Sequence, residues 1–254
     1  MHAKEKKISD YGNWVSKKIL AITAGLSAAM FGLGWLQGIF LVIGSLFLIL
    51  FLYFLYARYL FSPAGGNYQE RIRNLVLENL DWDGNGRALD VGCGNGPLVI
   101  QLADKFSGAQ VVGVDTWGAG WDYTQAACEE NVAVKGVGAR TTFRKASAAA
   151  LPFPDEYFDA VISNFVFHEV RSVKDKRELV REALRVLKKD GSFAFQDLFL
   201  VQPYYGDVDE LVAQVHRWGV EQVALRPTNQ LDFIPNVLKL PFMVGNIAVL
   251  YGRK

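Results

Sequence analysis

The sequence predicts an α/β domain on a mostly parallel sheet with helices on both faces, preceded by a pair of apolar helices. Three observations carry this reading. Strand and helix signals alternate from about residue 88 onward, the pattern of a parallel sheet with helical crossovers. An apolar strand runs into a glycine turn and a helix start, and the next strand ends in a carboxylate. Ahead of this lies a long stretch without charge, from Ile19 to Ala57.

One membrane crossing needs about 20 apolar residues, so that stretch is long enough for two. The crossings are read at 18–34 and 39–57, with a turn at Gly32, Gly34, Trp35, Gln37 and Gly38. Ala24, Gly25, Ala28 and Gly32 are small enough to let the two helices approach closely. Lys17, Lys18 and Arg58 flank the pair, with Trp14, Tyr53, Tyr56 and Tyr59 at interfacial depth. Positive flanks favour the cytoplasm, so both termini and the domain that follows are expected there. A signal peptide beginning with Lys4, Lys6 and Lys7 is the competing reading. It leaves the second apolar segment unexplained. Residues 1–60 are thus expected to form a membrane anchor, 61–66 a linker broken by Pro63, Gly65 and Gly66, and 67–254 the domain.

Within the domain, Ile72, Leu75, Val76 and Leu80 share one face of a helix expected over 69–80. Strands are expected at 88–91, 111–114, 141–144, 159–163, 192–196, 222–225 and 246–251. Helices are expected at 98–106, 123–135, 174–187 and 208–218. The last two strands read as a hairpin at the sheet edge.

The central stretch is Arg87-Ala-Leu-Asp-Val-Gly-Cys-Gly-Asn-Gly96, followed by Pro97-Leu-Val-Ile. Glycines at 92, 94 and 96 remove Cβ atoms, and a helix N-terminus offers unpaired N–H groups to a ligand. Pro97 stands where a dinucleotide fingerprint has its third glycine, which argues against a nicotinamide oxidoreductase. Val111-Val-Gly-Val-Asp115 supplies a carboxylate able to accept from both hydroxyls of a ribose.

Leu89-Asp-Val-Gly-Cys-Gly-Asn-Gly96 resembles motif I of the class I S-adenosylmethionine-dependent methyltransferases. Leu151-Pro-Phe-Pro-Asp-Glu-Tyr-Phe-Asp159 and Ala183-Leu-Arg-Val-Leu-Lys-Lys-Asp-Gly191 are similar to that family's approaches to its fourth and fifth strands. The resemblance covers about residue 67 to the C-terminus and leaves the apolar pair outside it. It implies a seven-stranded Rossmann-like methyltransferase sheet with S-adenosyl-L-methionine as cofactor. It further implies that Gly92, Cys93, Gly94 and Gly96 lie against the methionine portion, that Asp90 orients that end, and that Asp115 holds the ribose. Thr116 and Trp117 then stand where the family packs an apolar side chain against adenine; of Trp117 and Trp121 one stacks there and the other faces substrate or membrane, with ordinary packing of both as the alternative. Ser147 stands where the family often has an aspartate for the adenine amino group, with the Ala148 backbone alongside. Asn164 contacts the cofactor or closes the site, and His168 is a candidate general base or a structural residue.

Composition narrows the partners. Lys and Arg number 27 against 26 Asp and Glu, so no basic excess argues for nucleic acid. Two cysteines, Cys93 and Cys128, make neither a disulfide framework nor a metal cluster, and no metal is expected. Two apolar segments, Phe233-Ile-Pro-Asn-Val-Leu-Lys-Leu-Pro-Phe-Met243 and Leu198-Phe-Leu-Val-Gln-Pro-Tyr-Tyr205, read as pocket wall, membrane-dipping patch or plain core. The expected activity is methyl transfer at the bilayer to a small lipophilic acceptor: a quinone or phenol, a lipid amine or a thiol. The alternative is a non-catalytic S-adenosylmethionine-binding membrane subunit that regulates or recruits a partner.

Overall fold

The structure is a computed structural model and describes residues 9–118 and 123–254. Lys4, Lys6, Lys7 and Trp121 lie outside the described residues. The chain divides into two compact units. One is Asn13–Ile72; the other joins residues 9–12 to Arg73–Lys254.

The Asn13–Ile72 unit holds α1 (Lys17–Leu33) and α2 (Ile39–Phe61) as a helical hairpin. Ser16 caps α1 by accepting the Ile19 N–H. The side chains expected to face the partner helix do not. Gly25 and Gly32 have open space beside them and Ala28 is exposed, whereas Thr23, Ser27 and Gly44 are buried. The reason is a hydrogen bond: Ser27 Oγ donates to the Gly44 carbonyl at 2.9 Å, turning the contact face one residue round the helix from Ala24 and Ala28 to Thr23 and Ser27. Thr23 and Ser45 hydroxyls return to their own helices, on Ile19 and Leu41 carbonyls. The base of the hairpin is closed by Arg58, whose guanidinium donates to the Val15 carbonyl, and by an edge-on Trp14–Phe61 pair. Among the described residues one helix, Ile39–Phe61 with 23 residues, is long and apolar enough to cross a membrane by length and composition. The first crossing expected at 18–34 corresponds to α1 at 17 residues, roughly 26 Å at 1.5 Å per residue.

After α3 (Tyr68–Glu78), the second unit is a seven-stranded sheet: β1 (Gly86–Val91), β2 (Ala109–Asp115), β3 (Thr141–Lys145), β4 (Phe158–Asn164), β5 (Leu187–Asp197), β6 (Gln222–Pro227) and β7 (Ala248–Arg253). The spatial order is β3-β2-β1-β4-β5-β7-β6, parallel except for β7, which runs antiparallel to β5 and β6. The terminal hairpin is therefore present, with β6 on the edge alternating half-buried and exposed. The parallel strands read as unbroken apolar runs because both faces are covered. Leu89, Val161, Phe193 and Phe195 have no exposed surface, and each such side chain contributes about 1.5–3 kcal/mol by leaving water.

The crossovers are α4 (Pro97–Lys105), α5 (Gln125–Lys135) and α6 (Arg177–Arg185), followed by the short α7 (Gln202–Tyr205) and by α8 (Val208–Arg217). Thr124 caps α5 and Asp207 caps α8, each accepting N–H groups of the first turn. α6 starts three residues later than expected. Asp175 Oδ1 accepts the Arg177 N–H, and the buried Lys176 ammonium donates back to the Val173 carbonyl at 2.8 Å. These bonds hold the preceding residues as a loop. The apolar segment between β6 and β7 buries Ile234, Leu238 and Val244 and leaves Phe242 exposed. Its other apolar side chains, Phe233, Val237, Leu240 and Met243, are half-buried. Phe199 and Tyr205, from the other such segment, are also fully buried.

Candidate active site

The sheet order places β1 between β2 and β4, so that chain connections leave β1 and β4 on opposite sides. In open α/β sheets, ligands bind in the crevice at the carboxyl ends of such strands. Asp90 is the penultimate residue of β1, the glycine turn follows that strand, Asp115 ends β2, Ser147 and Ala148 follow β3, and Asn164 ends β4. Every residue predicted for the cofactor thus stands at this one edge of the sheet.

The turn is held on β2 and not merely on itself. Gly92 and Cys93 N–H groups both donate to the Val114 carbonyl, at 2.7 and 3.0 Å. Gly92 has φ +74°, and a Cβ there would lie 2.1 Å from Val166 Cγ2. Gly92→Ala is therefore expected to lower stability by about 1–3 kcal/mol through overpacking, with further cost from the left-handed backbone. Thermal unfolding against wild type checks it; an unchanged midpoint would mean the turn can open away from Val166.

Asp115 grips the turn from the other side. Its Oδ2 accepts the Gly94 N–H at 2.9 Å and its Oδ1 accepts the Trp117 N–H at 2.8 Å. Trp117 folds back so that its indole Nε1 donates to the Gly94 carbonyl at 2.9 Å. Cys128 Sγ reaches the same carbonyl. Burial, with Cys128 alongside, pushes the Cys93 thiol up, so it stays protonated and packs as a small apolar group. Thr116 lies between Asp115 and Trp117. Ser147 makes a tight local turn, its Oγ accepting the Ala149 N–H at 3.2 Å, and Ala148 is buried in the core.

Asp90 is 1 % exposed. Burial pushes its carboxyl up to about 8, the nearby Asp115 charge adds to this, and Arg73 and the Val99 N–H oppose it. At neutral pH it is held mainly as the neutral acid.

A second cluster stands beyond β4. Asp197, at the end of β5 and fully buried, accepts from the Val166 and Phe167 N–H groups at 3.1 and 2.8 Å. Its Oδ1 is 2.7 Å from His168 Nδ1, and His168 Nε2 is 3.3 Å from Glu169 Oε1. Burial by itself would lower the His168 pKa, but Asp197 and then Glu169 outweigh it and raise it to about 9. The base role considered from sequence needs a neutral imidazole. Here both ring nitrogens face carboxylates and the ring is a cation at neutral pH. Phe165 meets it edge-on and Tyr204 lies nearly parallel, 6.5 Å away.

Residues 89–195 match the family described as methyltransferase domain. Over that stretch, which runs from β1 to β5, the chain is similar to a methyltransferase domain. Over 122 residues it is 34 % identical to a ubiquinone/menaquinone biosynthesis C-methyltransferase of Geobacter sulfurreducens, covering 48 % of this chain and 45 % of that protein. Over 109 residues it is 36 % identical to a demethylmenaquinone methyltransferase of Roseiflexus castenholzii, covering 43 % and 41 %. The chain spans about half the length of the curated relatives it matches. A solved geranyl diphosphate methyltransferase in complex with S-adenosylmethionine shares the fold at a TM-score of 0.55 and 14 % identity, covering 78 % of this chain and 89 % of that one. The [4+2]-cyclase SpnF shares it at 0.54 and 21 %, covering 73 % and 81 %.

The geranyl diphosphate methyltransferase was solved with S-adenosylmethionine, and the groups at this end of the sheet suit a ligand of that kind. At this end of the sheet the buried Asp90 Oδ1 and Asn164 Oδ1 have no hydrogen-bond partner. They stand at the carboxyl ends of the adjacent strands β1 and β4, one residue before the last in β1 and the last in β4, where an ammonium-bearing ligand would supply the missing donors. Sequence reasoning missed Asp197, Arg73 and Asn131. Asp197 stands one residue past the predicted end of its strand, and a carboxylate closing an apolar strand was the available signal. Asn131, inside a helix, gave none.

Proposed function

We propose that the protein is a membrane-anchored S-adenosylmethionine-dependent methyltransferase acting on a small, lipophilic acceptor, with its domain on the cytoplasmic face. The observation that carries the anchor is the outward apolar surface of the helix pair. Ile22, Leu46 and Ile49 are each more than half exposed, and along α2 most of the apolar side chains face outward. Soluble proteins seldom leave a patch of this size to water. Lys17, Lys18 and Arg58 at one end of the hairpin favour a cytoplasmic orientation of that end. The acceptor class follows from location and from relatives named for quinones and for a sterol.

When bound, the sulfonium supplies an already activated methyl group, so alignment carries much of the rate. Asp115 and the glycine turn fix the ribose and methionine ends, and Asp90 with Asn164 accepts from the ammonium. His168, as a cation between Asp197 and Glu169, orders the segment after β4 and takes no proton. An acceptor nucleophilic without a base, or readily ionised, suits this arrangement.

The test uses full-length protein in nanodiscs, methyl-labelled S-adenosylmethionine and an organic extract of the host's membranes. Label is expected in the organic phase and is expected to vanish with Asp115→Ala. Cofactor binding without label in any lipid fraction would overturn the lipophilic acceptor and favour soluble amines or thiols, or the non-catalytic reading.

A further inference from the structure

We propose that residues 10–12, which precede the apolar helices in sequence, form part of the cofactor site, clamped to the glycine turn by Asn131 and Asn95. This deepens the methyltransferase reading and rests on the glycine turn being the cofactor site. The apolar pair is then an insertion between a strap and the rest of its domain.

Asn131, on α5 and 4 % exposed, reads both polar groups of one peptide residue. Its Oδ1 accepts the Asp10 N–H and its Nδ2 donates to the Asp10 carbonyl, each at 3.0 Å. The same Nδ2 donates to the Asn95 carbonyl at 3.0 Å, inside the turn itself. Asn95, 6 % exposed, adds a longer bond from Nδ2 to the Asp10 carbonyl at 3.4 Å and accepts the Thr124 N–H at its Oδ1. One buried amide thus ties the strap, the turn and α5 together. Buried amides left half satisfied are costly, so strap and turn are ordered as a unit.

A second line of contact reaches the acid end of the site. Arg73 is 4 % exposed, its guanidinium is 5.8 Å from the centre of the Tyr11 ring, and its charge acts on Asp90. Gly12 has φ +72°, with the Gly12 N–H donated to Asp10 Oδ1, and a Cβ there would lie 3.2 Å from Tyr123. Asp10, Tyr11 and Gly12 each therefore meet residues next to the turn or to Asp90. The clamp grips the main chain of Asp10, so it is indifferent to that side chain provided the local turn is kept.

Full-length protein in detergent is titrated with S-adenosylmethionine by calorimetry and assayed for turnover. Gly12→Val strains the strap and presses it against Tyr123, and Asn131→Leu removes the clamp at nearly constant volume. Each is expected to raise the cofactor Kd and KM at least tenfold while kcat at saturation changes little. Asp115→Ala reports on the cofactor reading itself. Gly12→Val and Asn131→Leu binding with wild-type Kd, while Asp115→Ala does not, would reduce the strap to packing. Should Asn131→Leu fail to fold, Gly12→Val decides alone. Wild type that binds no cofactor overturns the reading beneath, and the strap with it.

Discussion

Asp90→Asn is expected to make the protein more stable and unable to hold its cofactor well. The carboxyl is buried beside Asp115 and pushed up to about 8, whereas an unfolded aspartate titrates near 3.9. Folding therefore takes up a proton between those values. A raised folded pKa means that stability is greatest below the unfolded pKa and is lost as pH rises toward 8. The slope is at most about 1.4 kcal/mol per pH unit. Asparagine does not titrate, so its advantage over wild type should grow from pH 4 to 8 and then level off. Denaturant melts across that range measure it, and a difference independent of pH would mean that Asp90 is already ionised in the free protein. The binding half of the prediction has the opposite sign. A cationic ammonium favours the carboxylate, so wild-type affinity should rise toward pH 8 with proton release on binding. Calorimetry in buffers of different ionisation enthalpy counts that proton. The Asn variant should bind at least tenfold more weakly at pH 8 and release none.

The contrast between Asp90 and Asn131 shows what a sequence carries. Asp90 was legible because it closes an apolar strand before Gly92, and that local pattern has few physical explanations. The same holds for Asp115 and for the β6–β7 hairpin, since apolar runs between turn residues reveal a buried sheet at short range. Asn131 bonds a residue 121 positions away, and such a contact leaves no periodicity in either segment. Ser27 gave a milder version of the problem. Its hydroxyl reaches Gly44 across the hairpin, so the interface follows a polar pair while the small residues Gly25 and Gly32 face outward. Helix ends failed for a third reason: Asp175 and Lys176 spend their side chains on the backbone before α6. That choice depends on loop carbonyls whose placement is set by the fold. The apolar segment before β7 was ambiguous because core and pocket demand the same residues, and the structure buries Ile234 and Leu238 while leaving Phe242 exposed.

Removing the Asp197 carboxylate should be the most damaging single change near the site. In Asp197→Ala the Val166, Phe167 and Leu198 N–H groups lose their acceptor together, and His168 loses its closest counter-charge. Breaking a buried pair by deleting one partner costs about 3–5 kcal/mol, and that estimate omits the three stranded amides. Asp197→Asn keeps an acceptor and separates charge from shape. Without the anion, burial should carry the His168 pKa back down from about 9. The sign for wild type follows from a raised histidine pKa: the stabilisation is complete below about 6.5 and is lost as pH climbs through 9. Wild type should therefore weaken from pH 6.5 to 9 by more than Asp197→Asn does. Proton NMR of the His168 ring, assigned with His168→Gln, reads the titration directly. A midpoint near 6.5 in wild type would return His168 to the role of base, since the ring would then be neutral at working pH. A midpoint near 9 would make it a fixed cation whose work is to hold the turn after β4, leaving the acceptor to lose its proton elsewhere.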